Sequence, residues 1–343
     1  MAIPIQNIYY LLCYSWDKLD EKEFVDVDAE ESSKLLDLFA KVLLGATLHI
    51  VKRGLDKYYI EEEEAISGIK GKLDLNTSLK KNLFSSLKAH CIYDDFSHNV
   101  LTNQIIKSTI SKLLRATDLD SQLKVGLRKI FIRFSDISEI KLNNRVFRKV
   151  TLHRNNYFYD FALKVCELIN SNLFMNESDG TYSFMEFERD EKRMSYVFES
   201  FVRNFYKREQ SNYSVGREVI DWQFEELAGG DNAFLPKMET DISLVSSNKK
   251  IIIDTKYYKE TLQSYYDSEK IHSTNLYQLF AYLKNVENKD VLSSNCQGVL
   301  LYPTIDNDIK LDYKHGNHKV SVRTIDLNQD WKKIHNQLLE IVA

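Results

Sequence analysis

Asp241, Asp254 and Lys256 are the residues whose types and spacing point to chemistry. They lie in METDISLV (Met238–Val245) and IIIDTKYY (Ile251–Tyr258), two strand-like runs joined by the turn-forming SSNKK, which predicts an antiparallel hairpin. With Ser247 and Asn248 at the tip, Asp241 falls directly across from Asp254. Opposed side chains on one face stand about 4.5 to 5.5 Å apart at Cβ, where two like charges destabilise a sheet unless a cation sits between them. Strand side chains alternate, so Lys256 shares the face of Asp254 while Thr255 points the other way. Oxygen donors suit Mg²⁺, and Mg²⁺ bridging carboxylates and a phosphate oxygen polarises a phosphodiester while a neighbouring lysine orients or helps deprotonate water. A solvated hairpin face produces the same letters, so the spacing by itself leaves both readings open.

The hairpin needs elements to hold it. Arg193–Glu209 (RMSYVFESFVRNFYKRE) carries an apolar stripe through Met194, Val197, Phe198, Phe201, Val202 and Phe205, which predicts an amphipathic helix with Glu199 at its edge. After the hairpin, Thr274–Lys284 (TNLYQLFAYLK) puts Gln278 and Tyr282 four residues apart on one helical face. His272 stands just before that helix, where it either meets a phosphate or lies near the cap.

In the first half, Ile5–Trp16, Ser33–Val51, Val100–Arg115, Leu123–Ile132 and His153–Asn172 repeat apolar residues at helical spacing. Asp56–Leu79, with the glycines of SGIKGKLDL, predicts a small unit of short strands and tight turns. Arg53, Lys70 and Lys72 near those turns read as a solvated basic loop; the alternative, an approach to a partner's nucleotide, comes only from the family resemblance given below.

Composition narrows the classes. The 343 residues suggest two domains, here 1–155 and 156–343, and only 3 Pro and 11 Gly imply few linkers. A net charge of -4 lacks the basic excess of a protein that coats nucleic acid, so any DNA contact must be local. No apolar run reaches the roughly 18 residues of a membrane helix, which predicts no membrane partner and a cytoplasmic protein. Cys13, Cys91, Cys166 and Cys296 form no C-x-x-C pair, so buried thiols are expected and any metal must be held by oxygen. The glycine clusters SGIKGKLD and LAGGDNAF fail the phosphate-loop pattern, and no G-x-S-x-G, H-E-x-x-H, kinase or dinucleotide fingerprint occurs.

The spacing of Asp241, Asp254 and Lys256 resembles the PD-(D/E)xK nuclease core, in which these positions are metal ligands and the catalytic lysine. In that core the preceding helix often adds a metal-binding glutamate, which would be Glu199; the alternative is an ordinary helix-surface acid. Gln278 and Tyr282 look like the Q-x-x-x-Y that RecB-type nucleases place beside the metal to hold DNA, as against ordinary helix-face residues. PIQNIYYLLCYSWD, SGIKGKLDL, LTNQIIKSTI, FMEFERDEKRMSYVFESF, METDISL, IIIDTKYYK and HSTNLYQLFAYL further occur in the order seen in McrC, the nuclease subunit of McrBC modified-cytosine restriction systems.

That resemblance implies an α/β fold, α+β overall. Its N-terminal domain of helices and a small β-unit would dock on a McrB-like AAA+ ring, and its C-terminal domain would be a restriction-endonuclease-like PD-(D/E)xK domain. It implies a Mg²⁺-dependent DNA endonuclease, active in phage defence on double-stranded DNA containing modified cytosine, which stimulates the GTPase of a partner that itself binds the GTP. The proline that usually precedes the first acid is replaced by Thr240, with Pro236 earlier. Two other readings stay in view: a noncatalytic adaptor that only stimulates the AAA+ partner, and a RecB-like DNA exonuclease.

Overall fold

Helix α1 (Ile5–Ser15) buries Ile8, Leu11, Leu12 and Tyr14 as the aromatic and aliphatic spacing predicts. It belongs to the first of two units in the computed structural model, Met1–Glu31 with Glu186–Ala343; the second is Ser32–Met185. The structure describes residues 3–18, 34–176, 179–185, 190–227, 231–258, 263–265, 268–304 and 308–343. Part of the quoted FMEFERDEK segment, residues 186–189, lies outside the described residues.

The second unit holds α2 (Leu35–Arg53), β1 (Tyr58–Ile66), β2 (Lys72–Leu73), α3 (Leu75–Lys80), β3 (Ala89–Ser97), α4 (Leu101–Leu114), α5 (Ser121–Ile132), α6 (Asn144–Arg148), α7 (Tyr159–Asn172), β4 (Leu173–Met175) and β5 (Tyr182–Phe184). α2, α4, α5 and α7 pack through Leu38, Leu43, Ile106, Ile110, Leu127 and Phe161, all buried. Beside them β1 and β3 pair antiparallel from Tyr58↔Ser97 to Ile66↔Ala89, and β2 lies on the other side of β3. Gly71, at φ 65°, fits this turn because a Cβ there would come within 2.4 Å of the Ile92 carbonyl oxygen.

Two features differ from the sequence expectation for this unit. The strand reading that ran to Leu79 ends at Leu73, because Asp74 accepts a hydrogen bond from Thr77 N (3.1 Å) and caps α3. Strand β3 had no counterpart in the expectation, since only its first three residues are buried and Asp94 and Asp95 break the apolar alternation.

The first unit continues with α8 (Glu191–Glu209), β6 (Ser214–Gly216), β7 (Val219–Ile220), β8 (Met238–Glu239), β9 (Ile242–Val245), β10 (Lys250–Thr255), β11 (Gln263–Tyr265), β12 (Ser268–Lys270), α9 (Ser273–Val286), α10 (Val291–Ser294), β13 (Gln297–Thr304), β14 (Lys310–His315), β15 (His318–Asp326) and α11 (Trp331–Val342). Its six-stranded sheet runs β14-β15-β13-β10-β9-β6, with β10, β13 and β15 parallel and antiparallel strands outside them. Every residue of β10 is buried, as a central parallel strand covered on both faces requires. Ile252, Leu300, Tyr302 and Val322 meet Leu279, Tyr282 and Leu283 of α9 on one face. Phe201 and Phe205 of α8 meet Tyr14 of α1, and Phe201 meets Trp331 of α11.

The expected domain border at 155/156 differs from this division. α7 packs on α2 and α4 and so lies in the second unit, while α1 packs on α8 and lies in the first. Among the described residues no helix is long and apolar enough to cross a membrane. All four cysteines are buried.

Candidate active site

The β9–β10 hairpin has the register read from its tip, Lys250↔Val245 through Ile253↔Ile242. The ladder stops one pair before Asp241 and Asp254. Asp241 stands on a bend ahead of β9, and its Oδ2 accepts hydrogen bonds from Thr255 N (2.8 Å) and Thr255 Oγ1 (2.9 Å). The carboxylate thus takes the place of the next ladder carbonyl. Strict alternation would have turned Thr255 away from Asp241; the rule fails here because Asp241 has left the regular pleat.

Asp254 is the second-last residue of the buried strand β10 and has no exposed surface. Its Oδ1 receives no hydrogen bond, and Oδ2 lies 2.7 Å from Lys256 Nζ. The Lys256 backbone is fixed by donation from its N–H to Leu301 O (2.9 Å), so the ammonium and carboxylate leave the same strand end together. Burial pushes the Asp254 carboxyl up to about 7, with Lys256 opposing and the charges of Asp241 and Glu199 adding to the rise. Asp241 is also raised, by burial first and then by Glu199, against Lys256 and the two Thr255 hydrogen bonds. Two buried acids, one of them raised further by the charge of the other and carrying a bare buried oxygen, form a site that a cation relieves.

The donor set fits a hard divalent ion. Among the described residues no three His, Cys, Asp or Glu side chains converge as a ready metal cluster. Mg²⁺ commonly uses one or two carboxylates and keeps several waters, so Asp241 and Asp254 suffice as the protein's donors. Glu199, the third candidate, is engaged otherwise: its Oε1 accepts from Arg203 Nη1 (2.6 Å) and from Arg217 Nη2.

Helix α9 delivers the other two candidates. Gln278 Nε2 donates to Tyr282 Oη (2.6 Å), as their spacing predicts, and Tyr282 Oη donates to Glu239 O (2.9 Å). Tyr282 therefore ties α9 to the strand that leads into Asp241. Its phenol is pushed up to about 12, mainly by burial and further by Asp254 and Asp241. His272 is the residue before α9 and accepts Asn275 N at its carbonyl (3.1 Å); its ring stacks on Tyr258 at 4.5 Å. Asn275, buried, accepts from Tyr258 Oη (3.2 Å) and donates to Tyr302 Oη (3.0 Å).

Asn275, Arg203 and Arg217 have no part in the sequence reading, and Thr255 enters it only as a side chain turned away from the acids. Arg203 was findable, four residues beyond Glu199 on the same helix face. Arg217 was not, since it comes from a strand end 18 residues away. In the second unit, Lys70 lies 3.6 Å over the Tyr93 ring and 3.7 Å from Asp95, and Arg53 lies 4.5 Å over Phe158.

Residues 6–303 match the model of the McrBC 5-methylcytosine restriction system component family. The chain is 33% identical over 340 residues to the type IV methyl-directed restriction enzyme EcoKMcrBC of Escherichia coli K12, spanning 99% of this chain and 97% of that protein. It also resembles, at 16% identity and a TM-score of 0.61, a chain in a solved assembly of Thermococcus gammatolerans McrB AAA+ hexamers with bound McrC. That likeness covers 98% of this chain and 76% of the other and extends to the whole fold. By the extent of the family match and by its identity to the Escherichia coli protein, the chain belongs to the McrBC 5-methylcytosine restriction system component family.

Proposed function

We propose that this chain is the Mg²⁺-dependent DNA endonuclease subunit of a McrBC-type restriction complex, with a PD-(D/E)xK site in its first unit. The observation that carries the reading is the buried Asp254 carboxylate, with one bare oxygen, Lys256 at 2.7 Å from the other, and Asp241 held beside it by Thr255. Asp241 and Asp254 would hold the ion. Bound there, Mg²⁺ would polarise the phosphodiester and stabilise charge developing on its oxygens.

The protein's own groups supply the rest. Thr255 fixes the orientation of Asp241 through two hydrogen bonds, so that carboxylate needs no reorganisation during reaction. Lys256 balances Asp254 and stands where it orients an attacking water and meets phosphate charge. Tyr282 and Gln278 brace the strand before Asp241 and border the DNA path.

The partner in this reading is a McrB-like AAA+ ring that binds GTP, whose turnover this chain stimulates, and the substrate is double-stranded DNA containing modified cytosine. The Thermococcus gammatolerans assembly, McrB AAA+ hexamers with bound McrC, supports that pairing. The test is cleavage of methylated and unmethylated closed-circular plasmid by wild type and Asp254→Ala, each reconstituted with the AAA+ partner, Mg²⁺ and GTP. Methylation-dependent cutting by wild type alone is expected, with GTP turnover equal in both. Stimulated turnover without cutting in either would replace this reading with the adaptor.

A further inference from the structure

Arg203 and Arg217 have no task in that reaction, yet both donate to one oxygen of Glu199. They differ in reach: the Arg217 side chain is 40% exposed, whereas Arg203 and Glu199 are 14% and 18% exposed. Arg217 is also held in place beside the acids. Its neighbour Glu218 donates from N to Thr240 Oγ1 (3.0 Å) and accepts Thr240 N at its carbonyl (2.9 Å), and Thr240 immediately precedes Asp241. Arg203 Nη1 additionally approaches Asp241 O at 3.4 Å. Two guanidiniums on one carboxylate leave a surplus cation against the acidic pair, with its outer member open to solvent. A backbone phosphate can replace a carboxylate on a guanidinium without changing the charge balance, and the guanidinium fork suits either.

We propose that Arg217 is a phosphate-holding residue of the DNA site, and that its exchange from Glu199 to a backbone phosphate frees the Glu199 carboxylate toward Asp241 and Asp254. The inference rests on the endonuclease reading and deepens it: DNA and divalent metal then bind cooperatively, each raising the other's affinity by the same factor.

Mn²⁺ binding to the full chain, followed by the paramagnetic resonance of the free ion, reads the exchange without cleavage. Arg217→Ala should tighten Mn²⁺ roughly threefold to fivefold, the worth of a part-exposed ion pair. The double variant Glu199→Gln with Arg217→Ala should lose that gain, and Arg217→Lys, which keeps the charge but not the fork, should fall between. Arg217→Ala should also bind a duplex oligonucleotide with a salt slope shallower by about one. Equal Mn²⁺ affinity in wild type and Arg217→Ala, with Asp254→Asn losing the ion, would overturn the exchange and leave the endonuclease reading standing. Mn²⁺ binding indifferent to Asp254→Asn would overturn both.

Discussion

An aspartate with no exposed surface and an oxygen that receives no hydrogen bond destabilises the fold that carries it once it is ionised. The native carboxyl of Asp254 titrates at about 7, above its ordinary 3.8, so the folded chain holds that proton more tightly than the unfolded chain does. Its contribution is therefore most favourable at acid pH and is lost as pH rises from about 4 through 7, on the order of 4 kcal/mol when complete. Asp254→Asn should melt higher than wild type in EDTA at pH 8, with a smaller advantage at pH 5. An advantage equal at both pH values would contradict the assignment. Thr255→Val keeps the backbone donor to Asp241 and removes the hydroxyl. The Asp241 pKa should rise further, and the acid limb of the cleavage profile should move to higher pH with it. The two acids and Lys256 were legible in the sequence because alternation and turn chemistry fix a hairpin register. Thr255 was not, because its contact depends on a bend that alternation cannot describe.

At the scale of elements, the site depends on how closely α9 lies on β13. A Cβ on Gly298 would stand 2.9 Å from Leu283 Cδ1 and 3.1 Å from Leu279 Cδ1. Gly298→Ala should lower stability by about 1 to 3 kcal/mol in urea unfolding, as overpacking does. Tyr282→Phe removes the hydroxyl that joins α9 to Glu239 O and should cost about 1 kcal/mol by the same measurement. The long helices were legible from period alone; α8 and α9 lie where their apolar stripes predicted. Strand β3 was not, because most of its length is exposed and its acids resemble a loop. The place of Arg217 beside Glu199 was hidden for another reason: it is set by sheet pairing between β6 and β9, which no local pattern encodes.

Across the whole molecule, the first unit is built from segments that flank the second in sequence. Asn7 of α1, buried, donates through Nδ2 to Leu327 O and Gln329 O, both at 2.8 Å. Tyr10 and Tyr14 stack on Trp331. Asn7→Ala should destabilise the unfolding transition reported by tryptophan fluorescence, whose three sources Trp16, Trp222 and Trp331 all belong to the first unit, by about 1 to 3 kcal/mol, since one buried and one part-buried carbonyl lose their donor. A transition that did not move would mean that α1 is dispensable to the unit. A border drawn by position along the chain missed this arrangement, because contacts between residues 7 and 327 leave no trace in a local window. The same interleaving orders events during synthesis. The ribosome makes Trp331 more than 300 residues after α1, so at roughly 5 to 20 residues per second α1 waits tens of seconds for its stacking partner. The second unit is complete in that interval, and a polypeptide truncated before α11 carries Asp241, Asp254 and Lys256 without the aromatic stack that closes their unit.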